Sequence, residues 1–316
     1  MPARIPLLIA NNFHKQTISK LDEIYDTHKL WLLDPQQQES LIMQLKPHCH
    51  AVATASWATN PLIYELPELQ MISCFGVGVD GIDFSITRSR NIAVSNTPDV
   101  LNDAVADIAI ALVLMTCRKL VAADKFTRSG AWLDGPFTFG ESLAGKTLGI
   151  IGLGSIGEAI AERALPFKMK IAYHNRNPKN LPYSYYHDLE ELAEASDVLL
   201  CMLPGGAATH RIIGESVFRR LGPNGYFINV GRGSSVDENA LVSALQGKVI
   251  AGAGLDVYYN EPHVPDALKQ LDNVVLLPHI GSATHQTRMA MGELVIRNLN
   301  AWAEQRPLLT RVDLGS

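Results

Sequence analysis

Three segments carry side chains suited to moving a proton and gripping a carbonyl: Asn229-Val230-Gly231-Arg232-Gly233, Asn260-Glu261-Pro262 and Leu277-Pro278-His279-Ile280-Gly281. Arg232 stands between glycines directly after an apolar run. A guanidinium fork held there by stiff backbone can bind a carboxylate and polarise a neighbouring carbonyl at once. His279 also follows an apolar run, and histidine is the side chain best suited to deliver a proton near neutral pH. A carboxylate beside it orients the ring and favours its protonated form, which gives Glu261 a role. Together the three suit the reduction of a 2-oxo acid to a 2-hydroxy acid. Most of the ten histidines have the ordinary fate of surface or core residues. His279 stands apart because Gly281-Ser282 follows it at the expected domain crossing, a setting that His263 and His285 lack.

Such a reduction needs a hydride donor, and the sequence offers a seat for one. Gly152-Leu153-Gly154-Ser155-Ile156-Gly157 follows the apolar run Leu148–Ile151 and precedes a helical pattern from Glu158 to Ala164. The glycine pattern alone is weak, but between a strand and a helix it is the fingerprint of a dinucleotide turn. Gly152 permits the tight turn, Gly154 lets the pyrophosphate approach, and Gly157 lets helix and strand pack closely. The helix start at Ser155 and Ile156 then presents N–H groups to the phosphates. About twenty residues on, the next strand ends Tyr173-His174-Asn175-Arg176-Asn177. No carboxylate stands there to hold a ribose 2′-hydroxyl, and Asn175 beside Arg176 suits a 2′-phosphate instead. NADPH is the preferred cofactor on this reading, with NADH possible.

These segments need strands to end at them. Leu7–Ile9, Leu30–Leu33, Ala51–Ala53, Met71–Phe75 and Ile92–Val94 read as strands, alternating with helical patterns that include Ile18, Leu21, Ile24 and Tyr25 on one face. Residues 101–120 read as one long buried helix, with Asp103 and Asp107 early and Arg118 and Lys119 late, as the helix dipole favours. A second alternating series begins at Thr147, continues through Met169–Tyr173, Val198–Cys201, Tyr226–Val230, Ile250–Leu255 and Val274–Leu277, and closes with a helix from about 283 to 304. Alternation of this kind predicts an α/β chain of two Rossmann-like or flavodoxin-like domains with parallel sheets and a cleft between them.

The bulk figures are consistent with this and exclude other classes. The chain has 316 residues, 47% hydrophobic and 19% charged, with a formal net charge of −5. That length supports two cores, and the charge provides no basic field for nucleic acid or anionic lipid. The stretch 101–120 is broken by four charges, which leave an uncharged run too short to span a bilayer. The four cysteines are scattered without metal-binding or disulfide spacing. A cytoplasmic protein without a metal site is expected.

In Phe75-Gly76-Val77-Gly78-Val79-Asp80, Asn96-Thr97-Pro98-Asp99-Val100-Leu101, Val105-Ala106-Asp107, the glycine fingerprint, Asn229 to Asp237, Leu255-Asp256-Val257, Glu261-Pro262 and Pro278 to Thr284, the chain resembles the D-isomer-specific 2-hydroxyacid dehydrogenases. The likeness runs over nearly the whole length. It is strongest to the branch of NADPH-dependent glyoxylate and hydroxypyruvate reductases. The resemblance implies that Arg232, Glu261 and His279 are catalytic and that the N–H groups of Val77 and Gly78 bind the substrate carboxylate. It implies that Asp256 lies near the nicotinamide and that Pro204, Thr209, Val230, Gly231 and Gly281 line the cofactor. It also implies a discontinuous substrate-binding (catalytic) domain, 1–98 with 285–316, around a dinucleotide-binding domain, 99–284, and a homodimer built on the helix at 101–120 and the arm after it. Trp57 and Trp132, the second reaching across from a partner subunit, would narrow the pocket to small substrates such as glyoxylate and hydroxypyruvate. Gly205-Gly206 departs from the family pattern. The alternatives are a reductase of bulkier 2-oxo acids, such as 2-ketogluconate or hydroxyphenylpyruvate, and a dinucleotide-sensing corepressor, which the lack of a long disordered extension disfavours.

Overall fold

A computed structural model of the chain describes residues 4–55 and 59–312. The chain divides into two compact units, Met1–Leu101 together with Thr284–Ser316, and Asn102–Ala283.

The first unit holds strands β1 (Pro6–Ile9), β2 (Asp26–Lys29), β3 (Ala51–Ala55), β4 (Met71–Phe75) and β5 (Ala93–Ser95), all parallel, in the order β2-β1-β3-β4-β5. This is the flavodoxin-like order, whose switch point lies between β1 and β3. Helices α1 (Lys15–Ile24), α2 (Pro35–Leu45) and α3 (Phe84–Ser89) connect the strands. The start of α2 is determined locally: Pro35 opens the helix, and the Asp34 side chain accepts from Gln37 N while the Gln37 side chain accepts from Asp34 N. Strands β3 and β4 are buried along their whole length, as a sheet covered on both faces requires.

The second unit begins with α4 (Asn102–Cys117) and α5 (Leu120–Arg128) and continues with β6 (Thr147–Ile151), α6 (Ser155–Ala164), β7 (Lys170–His174), β8 (Ser184–Tyr185) and α7 (Leu189–Glu194). Then come β9 (Val198–Cys201), α8 (Glu215–Leu221), β10 (Tyr226–Asn229), α9 (Glu238–Gln246), β11 (Gly252–Leu255), α10 (Asp266–Lys269) and β12 (Val274–Leu276). The sheet order is β12-β11-β10-β9-β6-β7-β8, all parallel. That is the Rossmann arrangement, with its switch point between β6 and β9. Separate apolar clusters cover its two faces, one including Leu148, Ile150, Val198 and Ile228, the other Ile151, Leu199, Cys201 and Phe227. The last helix, α11 (His285–Ala303), belongs to the first unit and buries Met291, Leu294, Val295, Ile296 and Leu299.

Three expectations are corrected. Leu30–Leu33 is not a strand: Leu30–Leu32 forms a 3-10 turn and the strand is the preceding Asp26–Lys29. An edge strand needs no apolar run, so its polar sequence hid it. Residues 101–120 do not form one helix, because Lys119 adopts the left-handed conformation (φ 53°) and separates α4 from α5. Ile24, expected on the apolar face of α1, is exposed. Asp103 and Asp107 do more than face the helix dipole, since both pair with Arg163 of α6 at 2.7 Å.

Candidate active site

Strand β10 ends at Asn229, and the chain turns through Gly231 and Arg232. The Asn229 side chain organises this turn, its Oδ1 accepting from Gly231 N (3.1 Å) and its Nδ2 donating to Arg232 O (3.1 Å). Arg232 is half-buried, and its Nη1 donates to Gly231 O at 2.9 Å. A Cβ on the next residue, Gly233, would lie 1.9 Å from the Tyr258 carbonyl carbon. Only glycine therefore allows the Arg232 turn to pack on the Tyr258–Glu261 segment.

Glu261 bridges two elements. Its Oε1 accepts from Tyr258 N (3.0 Å) and its Oε2 accepts from His279 Nδ1 (2.6 Å). Burial works to raise the carboxyl pKa, but the His279 hydrogen bond and charge, with help from Tyr258 N and Arg232, outweigh it and hold Glu261 below its ordinary range. An ionised carboxylate only accepts, so Nδ1 must be the donor. That leaves Nε2 as the ring nitrogen not engaged by Glu261.

His279 itself sits in the left-handed region (φ 53°), uncommon for a side chain of its size. The next two amides hold it there: Ile280 N and Gly281 N donate to the two oxygens of Asp256, each at 2.8 Å. Asp256 is almost fully buried, and burial raises its pKa despite these two bonds. The structure thus gives Asp256 a definite task, clamping the His279 turn to the end of β11.

The dinucleotide segment has the geometry its residues suggest. Gly152 has φ 95°, and Gly157 approaches so closely that a Cβ on it would lie 2.5 Å from Gly152 O. A Cβ on Gly154 would meet nothing within 4 Å. Helix α6 starts there without a side-chain cap, so open space lies in front of N–H groups at Ser155 and Ile156, which fits a dinucleotide pyrophosphate. Asn175 faces this loop: its Oδ1 accepts from Leu153 N (2.7 Å) and its Nδ2 donates to Leu153 O (3.3 Å). Arg176 is exposed and makes no ion pair among the described residues. Thr209 closes the Gly205-Gly206 loop by donating to Pro204 O (2.7 Å) and Gly206 O (3.2 Å). Gly231 packs on Leu203, and Val230 is buried beside β9.

In the first unit, β4 runs into Gly76-Val77-Gly78. The carbonyls of this turn are occupied, Gly76 O by Thr97 N (2.9 Å) and Val77 O by Asn96 Nδ2 (2.8 Å). Among the described residues, the N–H groups of Val77 and Gly78 make no hydrogen bond. Two adjacent free amides at a strand's carboxyl end suit an anionic oxygen. Trp132 is 68% exposed on the arm after α5, and Trp57 lies outside the described residues. Sequence reasoning passed over the clamping role of Asp256 and the bracing by Asn229 and Tyr258. The signal available for the first was a carboxylate at the end of an apolar strand.

The chain belongs to the D-isomer specific 2-hydroxyacid dehydrogenases: the model of that family's NAD binding domain matches residues 110–281. Among individual proteins, it is 44% identical over 295 residues to the hydroxyphenylpyruvate reductase of Plectranthus scutellarioides, covering 93% of this chain and 94% of that one. It is 46% identical over 256 residues to glyoxylate/hydroxypyruvate reductase A of Arabidopsis thaliana, covering 81% and 82%. The crystal structure of an NADPH-dependent glyoxylate/hydroxypyruvate reductase from Sinorhizobium meliloti, in complex with NADP and malonate, superposes with a TM-score of 0.91 at 42% identity, covering 98% of this chain and 97% of that one.

Proposed function

We propose that this protein is an NADPH-preferring reductase of small 2-oxo acids, converting glyoxylate and hydroxypyruvate to glycolate and glycerate. The observation that carries the reading is the His279–Glu261 pair at 2.6 Å beside Arg232, in the unit that matches an NAD-binding domain. A bound nicotinamide dinucleotide supplies the hydride. Gly154, Ser155, Ile156 and Gly157 hold its pyrophosphate, and Arg176 pairs with the 2′-phosphate. The Arg232 guanidinium holds the substrate carboxylate and polarises the 2-oxo group; in the first unit, the amides of Val77 and Gly78 suit a carboxylate oxygen. His279 Nε2 gives its proton to the developing alkoxide, and ionised Glu261, accepting from Nδ1, keeps the ring aimed. Pro204, Thr209, Val230, Gly231 and Gly281 line the cofactor.

The domain roles follow from this assignment: residues 1–98 with 285–316 bind substrate, and 99–284 bind the dinucleotide. The arm after α5 exposes Trp132 (68%), Leu133 (94%) and Phe139 (94%), apolar side chains that fit a homodimer interface. The small-molecule role fits a chain in which, among the described residues, no helix is long and apolar enough to cross a membrane. Four buried free thiols fit the reducing cytoplasm. The relative named for hydroxyphenylpyruvate favours, as a second reading, bulkier 2-oxo acids on the same machinery. The deciding experiment is a kcat/KM panel of glyoxylate, hydroxypyruvate, hydroxyphenylpyruvate and 2-ketogluconate with NADPH and with NADH. The small acids with NADPH should lead. A bulky acid far ahead of both overturns the substrate assignment, and turnover of none overturns the reductase assignment.

A further inference from the structure

One cluster in the first unit has no part in the proton and hydride chemistry. Phe75, fully buried at the end of β4, is stacked by Phe13 (centroids 5.0 Å apart, 22°) and by His14 (6.2 Å, 19°), both on the segment after β1. The Arg288 guanidinium, from the first turns of α11, lies over the same ring at 5.6 Å. His285, one turn earlier on α11, adds to the field. His14 feels both: burial first, then Arg288, then His285 depress its pKa. His14 Nδ1 is satisfied by Thr17 Oγ1 at 2.8 Å, whereas among the described residues no carboxylate pairs with Arg288. Burial also lowers the Arg288 pKa, so the cation sits where water solvates it poorly. A half-buried guanidinium with one face on an aromatic ring and its edge unpaired is a ready receptor for an oxyanion.

Its location indicates which anion. Phe75 immediately precedes Gly76-Val77-Gly78, where two free amides suit a carboxylate, and His14 follows the strand on one side of the sheet's switch point. We propose that Arg288, with His14 and His285 around it, forms a second anion subsite beside that turn, so that the protein binds 2-oxo acids bearing a second carboxylate at the far end. The proposal rests on the reductase reading and names a substrate class that it leaves open.

Two measurements test it. Calorimetry with the NADPH-loaded protein compares malonate with propionate, which is similar in size but has one carboxylate. Steady-state assays compare oxaloacetate with glyoxylate. Malonate should bind at least tenfold tighter than propionate, and oxaloacetate should be turned over. Arg288→Met should weaken malonate, and lower kcat/KM for oxaloacetate, by about ten- to a hundredfold more than the corresponding monocarboxylate. Arg288→Lys, which keeps the charge and loses the fork, should fall between. Equal losses for mono- and dicarboxylates, or no malonate preference in the unaltered protein, overturn the subsite. If Arg288→Met fails to bind NADPH, the exposed His285→Gln carries the test, with a selective loss of about two- to fivefold expected and none overturning the proposal. Turnover of glyoxylate without a dicarboxylate preference removes this inference alone, whereas absence of turnover with every 2-oxo acid removes the reductase reading.

Discussion

His279 is where geometry and chemistry meet most directly. Replacing it with Ala removes the only proton donor the proposed reaction has, and turnover should drop about 10²- to 10⁴-fold with NADPH binding retained. Stopped-flow reduction of glyoxylate and fluorescence titration of the cofactor measure the two separately. Arg176→Ala should cost NADPH about ten- to a hundredfold in kcat/KM and leave NADH nearly unchanged, because only the phosphorylated cofactor has the charge to lose. Equal loss for both would contradict the assignment. Glu261 gives a pH prediction. Its pKa in the folded state is lowered relative to the ordinary value of 4.5, so ionised Glu261 adds stability that is fully present above that value. That contribution disappears as pH falls through the lower folded value. Glu261→Gln never has it, so denaturation midpoints of the two proteins should converge as pH drops below about 4.5.

The elements matter because they bring together side chains from distant stretches of sequence, Glu261 and His279 at 2.6 Å with the Arg232 charge acting on Glu261. Two clamps do this: Gly233 lets the β10 turn rest on Tyr258, and Asp256 at the end of β11 holds the amides after His279. Gly233→Ala puts a methyl into the Tyr258 backbone, which cannot rotate away. It should destabilise the protein by about 3 kcal/mol and abolish most activity. Urea denaturation checks the first and turnover the second. Asp256→Asn keeps one acceptor oxygen but turns an amide group toward the second N–H. Released from its clamp, the His279 turn should relax from its left-handed backbone, lowering kcat far more than it raises KM. A pure KM effect would mean that Asp256 does not position His279. Asn175 has a similar duty toward Leu153, which leaves Arg176 as the side chain free to meet a 2′-phosphate.

At the scale of the molecule, the exposed arm is the feature an isolated subunit explains least. Helix α5 buries none of its residues, and Leu120, Val121, Trp132, Leu133 and Phe139 all remain exposed. Sedimentation velocity at micromolar concentration should give a dimer. Leu133→Asp with Phe139→Asp should shift it to monomer, since charges are poorly tolerated in an apolar interface core. If Trp132 of one subunit shapes the partner's pocket, the same variant should also lose substrate affinity. A monomeric variant with unchanged kinetics would confine Trp132 to a packing role.

Much of this was readable from local pattern. A dinucleotide turn needs its glycines within six residues, and parallel buried strands leave apolar runs, so the class of fold, the fingerprint at Gly152–Gly157 and the strand-end positions of Arg232 and His279 were legible in one dimension. The edge strand Asp26–Lys29 was not, because its pairing to β1 depends on backbone hydrogen bonds rather than on side-chain hydrophobicity. Nor was the break at Lys119, where a left-handed backbone interrupts an otherwise good helical pattern. The amino-acid order by itself determined which chemical groups the protein possesses and that they stand at strand ends. Only the tertiary structure decided that Glu261 Oε2 meets His279 Nδ1, that Asp256 faces the amides of Ile280 and Gly281, and that Arg288 lies on Phe75. These contacts join residues 18, 24–25 and 213 positions apart, and separations of that kind are set by how elements pack, which no local periodicity records.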